Sequence, residues 1–176
     1  MRAIPPHQVP QPYVPLAGLL IAAAAATALG LALLGQHGFG LQPCVLCIWQ
    51  RWPHLAAVAF GLAAWALHRR PGASAALLGL AAAAELTTSG IGVFHVGVEQ
   101  GWWQGTAECG STAGGSDLAT LRSQIMNQPI VRCDEVAFAV LGISMAGWNA
   151  ILAAGLAVVG LGAVARDLQR ARESRA

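Results

Sequence analysis

Cys44-Val45-Leu46-Cys47-Ile48-Trp49-Gln50-Arg51 opens an apolar segment that runs on to about Leu67. Backbone polar groups find no water partner in lipid, so a run of this length crosses a bilayer as a helix. The Cys-x-x-Cys pair thus stands where the chain enters the membrane, with Arg51 one turn beyond Cys47. Comparable apolar stretches run from about Leu16 to Gly35, from Ala73 to Val96 and from Val136 to Ala165. Together they predict an all-α fold, a four-helix transmembrane bundle. Alanines and glycines throughout these stretches let helices approach closely.

Composition agrees with a lipid solvent. Of 176 residues, 56% are hydrophobic and 10% charged, where an ordinary soluble domain carries roughly 25% charged residues. Such a chain cannot cover a globule with water-compatible groups. A formal charge of +2 is too small to point to nucleic acid. Residues 1–15 hold five prolines and read as a disordered cytoplasmic tail. The apolar run behind that tail is too long for the core of a cleavable signal and reads as a retained signal-anchor.

Lysine is absent, so the arginines carry the topology signal. Arg2, Arg69, Arg70, Arg166, Arg170, Arg172 and Arg175 fall on one side of the bundle, and Arg51, Arg122 and Arg132 on the other. The positive-inside rule then puts both termini, including the tail 166–176, in the cytoplasm. Cys44, Cys47, Cys109 and Cys133 all land on the opposite side. In a bacterial inner membrane that side is the periplasm, where disulfides persist.

The outer loops run from about Gln36 to Pro43 and from about Gly97 to Glu135. A loop as long as the second is usually functional or disordered. Trp102 and Trp103 suit the headgroup level, as do Trp49 and Trp52. Leu118, Leu121, Ile125 and Met126 recur at helical spacing between Ser116 or Asp117 as N-cap and Pro129 as a stop. They predict a short amphipathic helix lying along the membrane surface.

The first loop carries the chemistry. Pro43 suits a first helical position and Cys44 to Cys47 a first turn, where free N–H groups stabilise an anion. Cys47 and Arg51 are four apart and share a helix face, so a thiolate is expected at Cys47. Four cysteines allow three pairings, of which pairing within each loop is the simplest. Cys109 adjoins a glycine-rich stretch, Ser111 to Ser116, that gives access for thiol–disulfide exchange. The bland readings are two structural bridges and an Arg51 that merely snorkels to the interface. Against the latter, Arg51 is the only arginine near an outer helix end. A zinc site would usually show a second closely spaced pair, whereas Cys109 and Cys133 lie 24 apart. No metal is expected.

These residues resemble the DsbB family of bacterial inner-membrane disulfide-generating proteins. The resemblance rests on Cys44-x-x-Cys47 with Arg51, on Cys109 and Cys133 in the second outer loop, and on Pro129 to Asp134 entering the fourth helix. It implies a quinone-dependent protein thiol-disulfide oxidoreductase whose partner is a periplasmic DsbA-like thioredoxin-fold protein. The partner would attack Cys109, and the released Cys133 would attack Cys44. Cys47 would remain as a thiolate beside a bound quinone, ubiquinone or menaquinone, with Arg51 polarising the quinone carbonyl. His95, level with that layer, reads either as a hydrogen-bond or proton donor to the quinone or as an interfacial histidine with no role. The glycine-rich part of the second loop and the proline-rich tail depart from the best-known members. No haem motif, Rossmann fingerprint or iron–sulfur run offers another electron sink.

Glu85 falls near the middle of the third helix, where ionisable groups are expensive and functional by default. Its depth matches that of Asn149, so the two are expected to face the bundle interior, with Glu85 protonated. Glu99 follows His95 by four and is a candidate partner for it or for Arg51. Two rival functions remain. A vitamin-K-epoxide-reductase-like quinone reductase also joins four helices to a Cys-x-x-Cys, but its loop cysteines precede that motif. A non-enzymatic membrane protein with two structural disulfides would pass no electrons.

Overall fold

The computed structural model describes residues 13–109 and 131–173. Among these residues four helices follow one another: α1 (Tyr13–Gly38), α2 (Val45–Ala66), α3 (Pro71–Glu99) and α4 (Met145–Glu173). A small hairpin of β1 (Ala139–Val140) and β2 (Ile143–Ser144) precedes α4. Helices α1, α3 and α4 are each long and apolar enough to cross a membrane. Helix α2, at 22 residues, is about 33 Å long, enough by length alone to cross. Gln50, Arg51 and His54 make its N-terminal half less apolar. The architecture is a helical membrane bundle.

Small residues set the helix spacing. A Cβ added to Gly61 of α2 would stand 2.5 Å from the Gly18 carbonyl oxygen of α1, and one added to Gly92 of α3 would stand 2.9 Å from the Ala150 Cβ of α4. Lipid tails are as apolar as leucine, so close van der Waals packing of this kind is what holds membrane helices together. Helix α3 packs against both α2 and α4, and α1 closes on α2. Ile21, Ala25, Ala57, Leu78, Ala81 and Leu156 fill the centre. Toward the other end, Ser74 Oγ donates to the Ala64 carbonyl at 2.7 Å and ties α3 to α2.

Several boundaries differ from the sequence expectation: α1 runs on to Gly38, α3 spans Pro71–Glu99 where Ala73 to Val96 was expected, and α4 continues past Ala165 to Glu173, into the expected tail. Tyr13 to Pro15 are helical, not part of a disordered tail. Pro15 lies in the first turn, where its missing N–H costs no helical hydrogen bond. Cys44 caps α2 and does not join its first turn, so Pro43 lies outside the helix. Helix α4 starts at Met145, not Val136. Ser144 explains that start: its Oγ accepts the Gly147 N–H at 3.1 Å, an N-cap contact. Upstream, Leu141 and Gly142 have φ of 53° and 78° and form a two-residue turn. Ala139 pairs with Ser144 and Val140 with Ile143 across it. Residues 1–12, the expected surface helix at 118–126 and Arg122 lie outside the described residues.

Candidate redox site

The N-terminus of α2 brings the first cysteine pair together. Cys44 is extended, with φ −71° and ψ 170°, and its Sγ accepts the Cys47 N–H at 3.3 Å, as a capping serine would. The free Cys44 and Cys47 sulfurs are 2.9 Å apart. A disulfide, at about 2.05 Å, needs only a small further movement. Cys44 is buried and Cys47 half-buried.

Cys109 and Cys133 are joined in a disulfide. Cys133 is fully buried and shares one apolar cluster with Cys44, Leu46 and Val98, bordered by Cys47, Phe94, Cys109 and Val131. All four sulfurs therefore meet in one place. Burial is graded: Cys109 is half-buried and Cys133 lies inward of it. The turn after α3 holds this bridge over the first pair. Trp103 Nε1 donates to the Phe94 carbonyl at 2.8 Å, and its indole stacks on Phe94 with centroids 5.9 Å apart. The Trp102 N–H donates to the Gly97 carbonyl at 2.9 Å.

His95 projects from α3 into the same layer and is buried. Its Nε2 lies 3.5 Å from Cys44 Sγ and its Nδ1 lies 3.1 Å from Gln50 Nε2. Both ring nitrogens are thus turned toward protein partners, and the ring also meets the backbone of Cys133. Glu99 Oε1 is 3.8 Å from His95 Nε2, while Glu99 Oε2 is buried with no hydrogen-bond partner among the described residues. Arg51 Nη1 donates to Gln36 Oε1 of α1 at 2.7 Å. The guanidinium is half-buried on the same side of α2 as the half-buried Cys47. The hydrogen-bond donors therefore gather on Cys44, while the fixed positive charge stands one turn from Cys47.

Cys44, Cys47 and His95 present donor atoms within 4.8 Å of one another. Two thiolates on one tetrahedral zinc would stand about 3.8 Å apart. The sulfurs here are closer, at 2.9 Å, which suits sulfur–sulfur chemistry better than a metal. Beside Cys133, Arg132 Nε donates to Asp134 Oδ1 at 2.9 Å. This exposed hydrogen bond holds the Asp134 carboxyl below the usual carboxylate range.

The structure adds residues that the sequence reading passed over. Gln50 and His54 lie on α2, buried and one turn apart. His54 Nδ1 is 3.0 Å from Glu85 Oε1, and His54 Nε2 is 2.9 Å from Asn149 Oδ1. Glu85 and Asn149 do share one depth, but His54 stands between them. Two polar residues at i, i+4 inside an apolar helix were the available signal, since such residues face a bundle interior by default.

A family model described as "Disulfide bond formation protein DsbB" matches residues 15–163. The chain belongs to the DsbB family. A disulfide bond formation protein B of Chromobacterium violaceum is 34% identical over 158 residues, covering 84% of this chain and 91% of the relative. One from Aromatoleum aromaticum is 34% identical over 146 residues, 78% and 84% of the two chains. An uncharacterised protein of Rickettsia prowazekii is 28% identical over 128 residues, 71% and 73% of the two chains. No solved structure matches. This DsbB-family chain is therefore a membrane disulfide oxidoreductase of disulfide bond formation, and the clustered cysteine pairs are its candidate centre.

Proposed function

We propose that this chain reoxidises a periplasmic thioredoxin-fold dithiol oxidase of the DsbA type and passes two electrons to a membrane quinone, ubiquinone or menaquinone. It would do so in the bacterial inner membrane, with both termini cytoplasmic and the cysteine loops periplasmic. One observation carries the reading: four sulfurs share one cluster in which Cys109 is half-buried while Cys133 and Cys44 are buried. A structural bridge has no need of that order.

The steps follow the burial. A thiolate of the partner attacks Cys109, the accessible sulfur of the bridge. The Cys109–Cys133 bond breaks and a mixed disulfide forms. Cys133 leaves as a thiolate beside Cys44 and, when the first pair is oxidised, attacks it. The Cys44–Cys47 bond breaks, and Cys47 becomes the free thiolate with Arg51 one turn along. The partner's second thiolate then resolves the mixed disulfide, leaving as an oxidised partner and freeing Cys109. Cys109 attacks Cys133, the loop bridge closes, and Cys44 is released. Two electrons from the partner dithiol now reside on Cys44 and Cys47.

A quinone, when bound, supplies the two-electron acceptor. The residues fit one: a half-buried sulfur and a half-buried guanidinium occupy the same side of α2, next to the exposed apolar side chains of Ile48 and Trp52. Arg51 would orient a ring carbonyl and steady the Cys47 thiolate. Anaerobic mixing of purified, reduced protein with quinone tests this. A visible absorption band that needs both Cys47 and quinone is expected, together with reoxidation of a reduced thioredoxin-fold partner. A wild-type protein that exchanges no electrons with either would overturn the assignment and favour two structural disulfides.

A further inference from the structure

Five side chains beneath Cys44 form one connected line of hydrogen bonds. From the interior outward, Glu85 Oε1 meets His54 Nδ1 at 3.0 Å, and His54 Nε2 meets Asn149 Oδ1 at 2.9 Å. Asn149 Nδ2 meets Gln50 Oε1 at 2.6 Å, and Gln50 Nε2 meets His95 Nδ1 at 3.1 Å. His95 Nε2 then meets Cys44 Sγ at 3.5 Å. The line crosses α3, α2 and α4 before returning to the site. Glu85 is fully buried, and none of Glu85, His54 and Asn149 hydrogen-bonds to a sulfur.

The direction of each bond follows from a single carbonyl. Gln50 Nε2 lies 3.3 Å from the Leu46 carbonyl oxygen, which only accepts. That contact fixes the Gln50 amide with its nitrogen toward His95. His95 Nδ1 must then accept, so the proton of the neutral ring sits on Nε2, toward Cys44. Gln50 Oε1 must accept from Asn149 Nδ2, which turns Asn149 Oδ1 toward His54. His54 Nε2 must donate to it, leaving His54 Nδ1 to share one proton with Glu85.

We propose that Glu85, His54, Asn149 and Gln50 are positioning residues that lock His95 with its Nε2–H aimed at the Cys44 sulfur. The inference rests on the reading of Cys44 as a redox sulfur and extends it into the membrane. In the cycle Cys44 is the sulfur released when Cys109 reclaims Cys133. An N–H held in place stabilises that thiolate, and a charge-assisted hydrogen bond is stronger than a neutral one. Stabilising the reduced pair makes the disulfide a better oxidant. Other charged groups at this end, Glu99 beside His95 and Arg51 beside Cys47, lie outside the line and stay constant when its inner members change.

The test needs neither quinone nor partner. The full chain in detergent is equilibrated with glutathione, two glutathiones reducing each disulfide to a dithiol. The two cysteine pairs are then scored separately by differential alkylation and mass spectrometry. Glu85→Leu and His54→Phe are expected to make the Cys44–Cys47 disulfide about tenfold harder to reduce, about 30 mV, with the Cys109–Cys133 equilibrium unmoved. Glu85→Gln should restore the wild-type value, because its amide offers His54 either a donor or an acceptor. An unchanged first pair, or equal shifts in both pairs, would overturn the proposal. Should the apolar variants fail to fold, nitrogen-15 shifts of histidine in the wild-type protein decide the matter. A His95 signal, identified by its loss in His95→Asn, that reports the Nδ1–H tautomer refutes the line. Failure of quinone reduction would instead strike at the proposed function and leave this measurement intact.

Discussion

Gly97→Ala makes a sharp probe of how the second loop is held over the site. A Cβ on Gly97 would fall inside the Trp103 indole, so the ring must leave. Leaving breaks the Trp103 Nε1 bond to the Phe94 carbonyl and the stack on Phe94. A net hydrogen bond contributes about 0.5–1.5 kcal/mol, and an aromatic pair about as much beyond its burial. The loss is therefore about 1–3 kcal/mol, set against a gain of up to about 1 kcal/mol for alanine over glycine within a helix. Thermal unfolding in detergent should show a lowered midpoint, and tryptophan emission should shift red as the indole is freed. Trp103→Phe keeps the stack and loses only the hydrogen bond, so it should cost about 1 kcal/mol. The decisive comparison is a double-mutant cycle. In a Trp103→Ala background Gly97→Ala should be neutral or stabilising. If its penalty persists there undiminished, the indole is not what occupies the space over Gly97, and the account of the loop fails.

Cys133→Ala should trap a mixed disulfide between Cys109 and an oxidised thioredoxin-fold partner on a non-reducing gel; Cys109→Ala should trap almost none, because Cys133 is fully buried. Equal trapping by the two variants would contradict the burial order. Leu141 is a non-glycine residue with φ of 53°; Leu141→Asn should stabilise the hairpin by about 1 kcal/mol, read as a raised melting temperature. For Asp134 the folded-state value is depressed by Arg132. The pair therefore contributes at pH above the ordinary carboxylate range and is lost as pH falls through the lower folded value. Arg132→Gln should return the Asp134 titration to that ordinary range, measured by carbon-13 shifts of labelled aspartate carboxyls, with the melting temperature barely altered because the pair is exposed.

The helices were legible because lipid permits so little else. A long apolar run must be helical, and arginine placement adds an orientation. The start of α4 was not legible from hydrophobicity. Val136, Phe138, Val140 and Leu141 are as apolar as the helix that follows, and a short apolar run does not separate strand from helix. The local cues were there in Leu141-Gly142 as a turn and in Ser144 as a cap. At the site, cysteine spacing singled out the candidate residues, and the i, i+4 rule put Arg51 on the Cys47 side of α2. It could not reveal that Cys44 would turn out of the helix and become an N-cap. Nor could it reveal His95 as the neighbour of Cys44, because that contact joins residues 51 apart on different helices. Glu85 and Asn149 stood out as polar residues at one depth, but the line they belong to passes through Gln50 and His54.

The unequal surroundings of the two sulfurs follow from where α2 begins. Cys44 is the last non-helical residue, so its side chain folds back over the first turn into the buried cluster with Cys133. Cys47 lies inside the first turn and stays half-buried on the Arg51 side. A relay between a protein disulfide and a lipid-soluble acceptor needs this difference: one sulfur must meet another sulfur, and its neighbour must meet the acceptor. The same geometry accounts for the polar line. Gln50, His54 and Glu85 would each be costly in a membrane interior if left unpaired, which is why α2 is less apolar than its three neighbours. Connected end to end, each side chain satisfies the next, and the line terminates on the sulfur whose thiolate it would steady. A bundle selected for stability alone would place apolar side chains at these positions. Their presence here is intelligible if the orientation of His95 matters to the exchange at Cys44.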